Sequence, residues 1–471
     1  MSTTPSLIEN VTYDELAIGQ SARLVRVLTQ ADIQAFALVS GDVNPAHVDP
    51  AYAEGTRFHG VIAHGMWGGA LISSVLGTQF PGPGTIYVEQ TLRFLRPVRV
   101  GDTLTVVLTV VSKEDHQRRV VLDCSVVNQT GEQVIGGLAT VIAPSHKVSV
   151  PRVDLPTLHL FDPQARLRAW MASFHGFPAM ACGVVHPCDA ESLRGAMDAT
   201  AQGLIQPVLI GPPQRIHAVA EQAGIDLHGA TIDAAPHSHA AAARGAEMAA
   251  QGMVHMLMKG SLHTDELLGA VLATPALRTG RRLSHVFRFD IPSYPKPLLL
   301  TDAAVNIAPT LDEKADIVRN AIGLAQALGV AVPKVALLSA VETVTAKINS
   351  TLDAAALCKM AQRGQITGAI LDGPLAFDNA ISAEAARIKG IDSPVSGDAD
   401  ILVLPDLESG NVAAKLLEYL AGAASCGVVL GARVPIALTS RADGAASRVA
   451  SAALAAVVSR ATLAAAAAAT P

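Results

Sequence analysis

An aspartate and a histidine, Asp42 and His47, stand five residues apart in a segment rich in turn-forming residues. The segment from Ser40 to Asp49 reads S-G-D-V-N-P-A-H-V-D, and its Gly, Asn and Pro predict a tight turn rather than a regular element. Across such a turn, a carboxylate and an imidazole can hold one water between a proton acceptor and a proton donor, as the addition of water to a double bond requires. In the alternative interpretation, Asp42 caps a following helix and His47 binds backbone carbonyls.

A second candidate pair, Ser440 and Arg441, follows the apolar run Val434–Leu438 and precedes an Ala-rich segment. A guanidinium binds phosphate through a bidentate fork, and a helix N-terminus adds positive potential, so this corner suits an oxyanion. In the alternative interpretation, Ser440 only caps the last helix and Arg441 pairs with Asp443.

Two further strings place Gly and polar residues at the end of an apolar run. They are Leu257–Thr264, which contains Lys259, and Asp400–Asn411. Ligands of open α/β sheets bind at the carboxyl ends of the strands. Lys259 and Asn411 are therefore candidates for ligand contact, although each of them could also merely order a loop.

The elements that must position the first pair lie between residues 6 and 144. Three β-branched runs, Ile86–Phe94, Thr103–Ser112 and Arg118–Val127, alternate as antiparallel strands do. The segment Gly65–Leu76 is small and apolar on all sides, which predicts a fully buried helix. One helix wrapped by an antiparallel sheet is the simplest packing, so residues 1–146 are predicted to be an α+β domain.

Proline punctuation, from Pro144 through Pro151 and Pro156 to Pro163, predicts a linker over residues 147–165. Beyond it, short apolar runs alternate with Ala-rich helical segments. This rhythm predicts parallel strands that are buried on both faces. Because about 300 residues exceed one comfortable core, residues 166–471 are predicted to form two α/β lobes with mainly parallel sheets.

The amino-acid composition excludes several classes of protein. The 471 residues are 50% hydrophobic and 16% charged, which excludes global disorder, and the net charge of -6 gives no basic footprint for a nucleic acid. The Ala-rich tail Val449–Ala469 is interrupted by Ser and Arg, so we expect a packed helix rather than a membrane span. We also expect no secretory signal in the first 15 residues. The five scattered cysteines have no paired metal-ligand spacing, which favours a metal-free protein of the reducing cytoplasm.

The string from Ser40 closely resembles the hydratase signature of the MaoC-like (R)-specific enoyl-CoA hydratases. Two collinear strings extend the resemblance over most of residues 15–143: I-A-H-G-M-W-G-G-A-L-I-S and R-F-L-R-P-V-R-V-G-D-T-L. The resemblance implies a hot-dog fold whose central helix begins at Gly65.

The same resemblance implies that Asp42 and His47 are the catalytic acid/base pair. It further implies that Ser73 helps to orient the carboxylate, that Gly65 donates an N–H to the thioester oxygen, and that Asn44 belongs to the substrate-binding turn. For Ser73 the alternative is a core serine bonded to its own helix. His64 is interpreted as structural. A thioesterase of the same fold is the alternative activity, and the intact D-x-N-P-x-H favours hydration.

The C-terminal strings, D-G-P-L-A-F-D-N-A, A-D-I-L-V-L-P-D-L-E-S-G-N and the one ending in Ser440-Arg441, together resemble the phosphate acetyl/butyryltransferase family over about Met180–Val458. The resemblance implies two α/β lobes around a cleft, and a reaction of acyl-CoA with phosphate that gives acyl phosphate and CoA. Ser440 and Arg441 would hold the acyl and phosphate groups.

The implied substrates are acyl-CoA and phosphate, with no further cofactor, and the implied state is a homo-oligomer. Lys259 and Asn411 lie in the matched strings and are candidates for contact with CoA or phosphate. One departure is that Ser447 stands where the family's acetyltransferases carry an aspartate, and Asp443 is the candidate substitute. An alternative is therefore an active hydratase joined to a CoA-binding scaffold without catalysis.

Overall fold

The computed structural model describes residues 7–153, 164–174, 176–439 and 444–468. The chain divides into two compact units, with the boundary between residues 161 and 162.

In its described residues the N-terminal unit contains eight strands and four α-helices. The strands are β1 Leu7–Glu9, β2 Ser21–Val27, β3 Ile86–Gln90, β4 Arg93–Phe94, β5 Thr103–Glu114, β6 Arg119–Val127, β7 Gln133–Ile142 and β8 Ser149–Pro151. The helices are α1 Gln30–Ser40, α2 Pro45–Val48, α3 Pro50–Glu54 and α4 Gly65–Thr78.

A six-stranded antiparallel sheet packs against α4. Its order is β2-β5-β6-β7-β3, and β4 also pairs with β7. Along β5 every second residue, from Leu104 to Val110, is buried, which is the alternation that the sequence predicts. Trp67, Ile72 and Val75 of α4 join the same core. The predicted hot-dog arrangement is confirmed.

Two details of this unit differ from the sequence prediction. The helix α4 is buried on one side only, because the sheet covers that side and leaves residues such as Met66 exposed. The predicted linker 147–165 contains β8, which pairs antiparallel with β1. Proline is tolerated there because Pro151 ends a short strand of a two-stranded sheet.

The C-terminal unit contains eleven strands and eleven helices in its described residues. The strands are β9 Met180–Val185, β10 Ile205–Gly211, β11 Thr231–Ala234, β12 Met256–Lys259, β13 Ser284–Asp290, β14 Leu298–Thr301, β15 Lys334–Leu338, β16 Ile370–Leu375, β17 Ile401–Val403, β18 Ala424–Leu430 and β19 Ile436–Ala437. The helices are α5 Ala165–Ala172, α6 Ala190–Ala201, α7 Pro213–Ala223, α8 Ser238–Ala250, α9 Thr264–Ala273, α10 Leu311–Ala327, α11 Asn349–Gln362, α12 Phe377–Ile381, α13 Ala383–Ile388, α14 Leu407–Tyr419 and α15 Ala445–Ala468.

All eleven strands join one sheet, in the order β11-β10-β9-β12-β19-β18-β13-β14-β17-β15-β16. The block β11-β10-β9-β12-β19 and the block β14-β17-β15-β16 are each parallel. Between them β18 and β13 run antiparallel to their neighbours, so the two blocks point in opposite directions. The mainly parallel architecture is confirmed, and the two predicted lobes correspond to these blocks.

The central strand β13 has no continuous apolar run, since it carries buried polar side chains. Arg288 and Asp290 form a buried ion pair at 2.5 Å, and the Arg288 guanidinium lies over the Trp170 ring. Among the described helices α15 alone is long and apolar enough to cross a bilayer, and half of its most apolar stretch is buried inside the protein.

Candidate active sites

A cavity of about 580 Å³ opens in the N-terminal unit, and both Asp42 and His47 line it. Helix α1 ends at Ser40 and is capped by Gly41, whose φ of 74° reverses the chain, and Asn44 then caps α2 with Pro45 in its first position. These two local signals place the carboxylate and the imidazole on one short turn. Asn44 itself does not line this cavity, and its side-chain oxygen accepts the Ala46 N–H.

His47 is held in one tautomer by its surroundings. Its Nδ1 lies 2.9 Å from the carbonyl oxygen of Ile62, so Nδ1–H donates to that carbonyl and Nε2 is left as the basic nitrogen. The Asp42 carboxylate accepts the Asn44 N–H at 3.2 Å, which fixes its orientation on the turn. An oriented carboxylate beside a free imidazole nitrogen is the arrangement that proton transfer requires.

His64 is a third member of this group, and its interpretation as purely structural is too narrow. Its ring is 97% buried, lines the same cavity and lies 4.0 Å from the His47 ring, centroid to centroid. Its Nε2–H donates to the backbone carbonyl of Asp42 at 2.9 Å, and its Nδ1 has no hydrogen-bond partner within the described part of the chain. Polar atoms of Asp42, His47 and His64 lie within 4.8 Å of one another, close enough to hold a water or a small ion.

Gly65 begins α4 at the wall of the cavity. A Cβ at this position would lie 3.0 Å from the Phe94 ring, so glycine leaves room beside the helix end. The first N–H groups of a helix have no partner inside the helix and carry positive potential. A carbonyl oxygen in the cavity would therefore meet a donor at this end.

Ser73 is not brought to the cavity. It lies eight residues after Gly65, which corresponds to about 12 Å along a helix, and it is exposed. No described residue forms a hydrogen bond with its side chain. The role predicted for Ser73, orientation of the Asp42 carboxylate, is not supported by the geometry within one chain.

In the C-terminal unit a polar cluster lies at the neighbouring carboxyl ends of β9 and β12. Lys259, the last residue of β12, is buried, and Ser261 donates its N–H to the carbonyl of His186 at 2.8 Å. A Cβ at Gly260 would overlap the backbone of Val185 and His186, so only glycine lets these strand ends approach each other.

His186 is a residue of this cluster that the sequence analysis did not identify. Its φ of 54° is unusual for a residue other than glycine, and such strain is concentrated at functional sites. Burial lowers the pKa of its imidazole, which favours the neutral form. Its place after an apolar run, in V-V-H-P-C-D, is the sequence signal by which it could have been found.

The other predicted residues of this unit have different outcomes. Asn411 is exposed in the first turns of α14 and donates to the carbonyl of Ala303 at 3.2 Å, which orders the loop after β14. Ser440, Arg441 and Asp443 lie outside the described residues, so their predicted roles stay predictions. Ser447 lies within α15, where its carbonyl accepts the hydroxyl of Ser451.

Together, the hot-dog unit with its acid/base turn and the sheet with polar strand ends define an enzyme. The family model for phosphate acetyl/butaryl transferase matches residues 229–456, and the model for a MaoC like domain matches residues 15–131. A phosphate acetyltransferase from Rhizobium meliloti is 59% identical over 275 residues, which cover 58% of this chain and 87% of the relative. This chain belongs to the phosphate acetyl/butyryltransferase family and carries a MaoC-like domain in its N-terminal unit.

Two solved structures accompany these matches. A branched-chain phosphotransacylase from Enterococcus faecalis is 31% identical with a TM-score of 0.53, and the match covers 59% of this chain and 99% of that one. An R-hydratase from Pseudomonas aeruginosa is 48% identical with a TM-score of 0.32, and the match covers 33% of this chain and 100% of that one.

Proposed function

We propose that the chain catalyses two reactions of acyl-CoA, one in each unit. The N-terminal unit adds water to trans-2-enoyl-CoA and forms (R)-3-hydroxyacyl-CoA. The C-terminal unit transfers an acyl group, acetyl or butyryl, between CoA and phosphate. The observation that carries the first proposal is the free Nε2 of His47 beside the Asp42 carboxylate, in a cavity that begins at the N-terminus of α4.

In the hydration, the water lies between Asp42 and His47. As its oxygen attacks C3 of the enoyl group, one of the two side chains takes a proton from the water and a proton is delivered to C2. Negative charge grows on the thioester oxygen during the attack at C3 and is removed when C2 is protonated. The N–H of Gly65 would stabilise that charge, and one such donor contributes about 3–4 kcal/mol in other enzymes.

In the acyl transfer, a phosphate oxygen attacks the thioester carbonyl carbon, the carbon–sulfur bond breaks, and the CoA thiolate takes a proton. The side chains contribute positions and charge rather than a covalent intermediate. Ser440 and Arg441 are the proposed acyl and phosphate ligands, with Lys259 at the neighbouring strand end. The membership of the family and the relative from Rhizobium meliloti support this assignment.

We also propose a homo-oligomer. The strand β3 is at an edge of the six-stranded sheet and exposes Ile86, Tyr87 and Val88. Exposed apolar edge strands can pair with another chain, so soluble proteins usually cover them.

Neither proposed reaction needs a cofactor besides its substrates.

The test compares the full chain with Asp42→Asn and Arg441→Gln. Hydration of crotonyl-CoA is measured by loss of the enoyl absorbance, and transfer is measured by thiol release from C2–C8 acyl-CoA with and without phosphate. We expect Asp42→Asn to lose at least about 100-fold of hydration and to keep transfer. We expect the reverse for Arg441→Gln.

Equal loss of both activities in one variant would contradict two separate sites. The wild type could also hydrate crotonyl-CoA but release no thiol in response to phosphate at any chain length. That result would favour the alternative in which the C-terminal unit is a CoA-binding scaffold without catalysis. Ser447, which stands where the family's acetyltransferases carry an aspartate, would agree with it.

A further inference from the structure

A short segment just before α4 holds both residues of the proposed acid/base pair. The carbonyl oxygen of Ile62 lies 2.9 Å from Nδ1 of His47, and Nε2 of His64 lies 2.9 Å from the backbone carbonyl oxygen of Asp42. A carbonyl oxygen can only accept, so these two ring nitrogens carry the protons. The turn from Asp42 to His47 is therefore attached to the segment by one hydrogen bond at each of its ends.

The segment is in turn fixed to the sheet and to the start of α4. The N–H of Ala63 donates to the carbonyl of Val98 at 2.8 Å, and the carbonyl of His64 accepts the N–H of Trp67 at 3.0 Å in the first turn of the helix. His64 is also the residue directly before Gly65, whose N–H is the proposed donor to the thioester oxygen. The backbone of His64 therefore has a fixed place relative to that donor.

The His64 side chain contacts both members of the pair. Besides its hydrogen bond to the Asp42 carbonyl, its ring lies 4.0 Å from the His47 ring, centroid to centroid. A further ring contact, at 5.1 Å between centroids, joins it to Phe36. Because only 3% of the residue is exposed, close packing leaves the imidazole little room to turn. Its Nε2–H is therefore held in its direction toward the Asp42 carbonyl.

Packing alone does not account for an imidazole at this position. Nδ1 of His64 is buried and has no hydrogen-bond partner within the described part of the chain. An unpaired buried polar atom costs stability, and a phenyl ring would fill a similar space without that atom. What the imidazole adds is the Nε2–H donor to the Asp42 carbonyl.

We propose that His64 is a positioning residue of the hydration site. Through its hydrogen bond to Asp42 and its contact with the His47 ring, it fixes the distance between the acid/base pair and the N–H of Gly65. The attacking water and the donor to the thioester oxygen act on one substrate in one step, so their separation must be constant. A misplacement of about 1 Å at a reacting site can cost about 100-fold in rate. This inference rests on the proposed hydration activity.

The test uses the full chain and two substitutions that separate the two contacts. His64→Phe keeps a ring beside His47 but removes the donor to Asp42, whereas His64→Gln keeps an amide donor but removes the ring. The control is His116→Phe, at an exposed histidine of the same unit that does not line the cavity. The kinetics of crotonyl-CoA hydration and the thermal unfolding of each protein are measured.

For His64→Phe we expect kcat of hydration to fall at least about tenfold, because the water and the oxyanion donor lose their fixed separation. KM should stay within about twofold, since the lost interaction acts in the transition state. We expect Tm to stay within about 3 °C of the wild type, because the unpaired Nδ1 is removed together with the hydrogen bond. His64→Gln should recover most of kcat, and His116→Phe should keep all of it.

Wild-type kcat in His64→Phe would overturn the inference, and so would a loss of kcat that His64→Gln does not recover. A loss of kcat in His64→Phe that is matched by a loss of folded protein at the assay temperature would show that the residue only supports the fold. If the wild type itself does not hydrate crotonyl-CoA, the proposed function fails and this inference fails with it. Hydration by the wild type with unchanged kinetics in all the variants would refute the role of His64 alone.

Discussion

The two candidate sites differ in how far apart along the sequence their residues lie. In the cavity of the hot-dog unit, the groups of the proposed chemistry, from Asp42 through His47 and His64 to Gly65, belong to one continuous stretch of the chain. The strand ends of the C-terminal unit bring together His186 and Lys259–Ser261, and β19 lies next to β12 although the sequence separates them by more than 170 residues. Local turn chemistry builds the first site, and sheet topology builds the second.

The difference also appears in how each histidine is held. His47 has one nitrogen fixed by a backbone carbonyl and the other free toward the cavity. His285 is enclosed on all sides and has no hydrogen bond to any described residue. A group that exchanges protons with a substrate needs an oriented, open nitrogen, which the turn provides for His47 and the interior of the sheet does not provide for His285.

The largest expected effect tests whether Asp42 and His47 of the hot-dog unit act together in one catalytic step. Because Asp42 and His47 would share one water, removing either should destroy the same step, and their effects should not add. We expect His47→Ala to lower kcat for crotonyl-CoA hydration by about 10²–10⁴-fold. The double variant Asp42→Asn/His47→Ala should be no slower than the slower single variant.

The control is phosphate-dependent thiol release, which should remain at the wild-type rate in all three proteins. Strictly multiplicative losses in the double variant would show that the two side chains act independently, and the shared-water mechanism would then be wrong.

The second prediction compares two glycines, one in each unit, that have no room for the methyl group of an alanine. A Cβ at Gly137 of β7 would overlap the carbonyl of Thr91, and a Cβ at Gly260 would lie 2.5 Å from the carbonyl oxygen of His186. Both clashes are with backbone, which cannot rotate away. We expect Gly137→Ala to destabilise the N-terminal unit by about 3 kcal/mol and to reduce hydration.

Gly260→Ala should instead push apart the ends of β9 and β12, and we expect transfer to fall by about 100-fold, since small misplacements at a reacting site have effects of this size. Calorimetry measures the loss of stability in each variant, and the hydration and transfer assays show which activity is lost. Normal transfer in Gly260→Ala would place these strand ends outside the site.

The same contrast explains what could be predicted from the sequence. The turn at Asp42 and His47 could be predicted because Gly41, Asn44 and Pro45 fix it locally. The alternation along β5 likewise gave the antiparallel sheet. The role of Ser73 was implied by the family resemblance and not by the local pattern, and the structure places this residue on the exposed side of α4, outside the cavity that Asp42 lines.

In the C-terminal unit the apolar strands could be predicted, and the central strand β13 could not. Its buried polar residues, His285, Arg288 and Asp290, interrupt the pattern by which buried strands are identified. Arg288 and Asp290 instead pair with each other in the interior of the sheet. They lie two residues apart on the same strand, but their burial depends on β14 and β18 on either side of β13, which a linear pattern does not contain.

The smallest effect tests whether the two units unfold separately. Gly77 of α4 and Gly269 of α9 are helical glycines with open space where a Cβ would stand. Alanine has a higher helix propensity than glycine by up to about 1 kcal/mol, so each substitution should stabilise its own unit. In calorimetry we expect two transitions, of which Gly77→Ala raises only one and Gly269→Ala only the other, each by about 2–4 °C. Because neither glycine belongs to the proposed sites and a Cβ at each would meet open space, both activities should be unchanged. If each substitution raised one common transition, the two units would unfold as one cooperative body, and their separate treatment as folding units would be wrong.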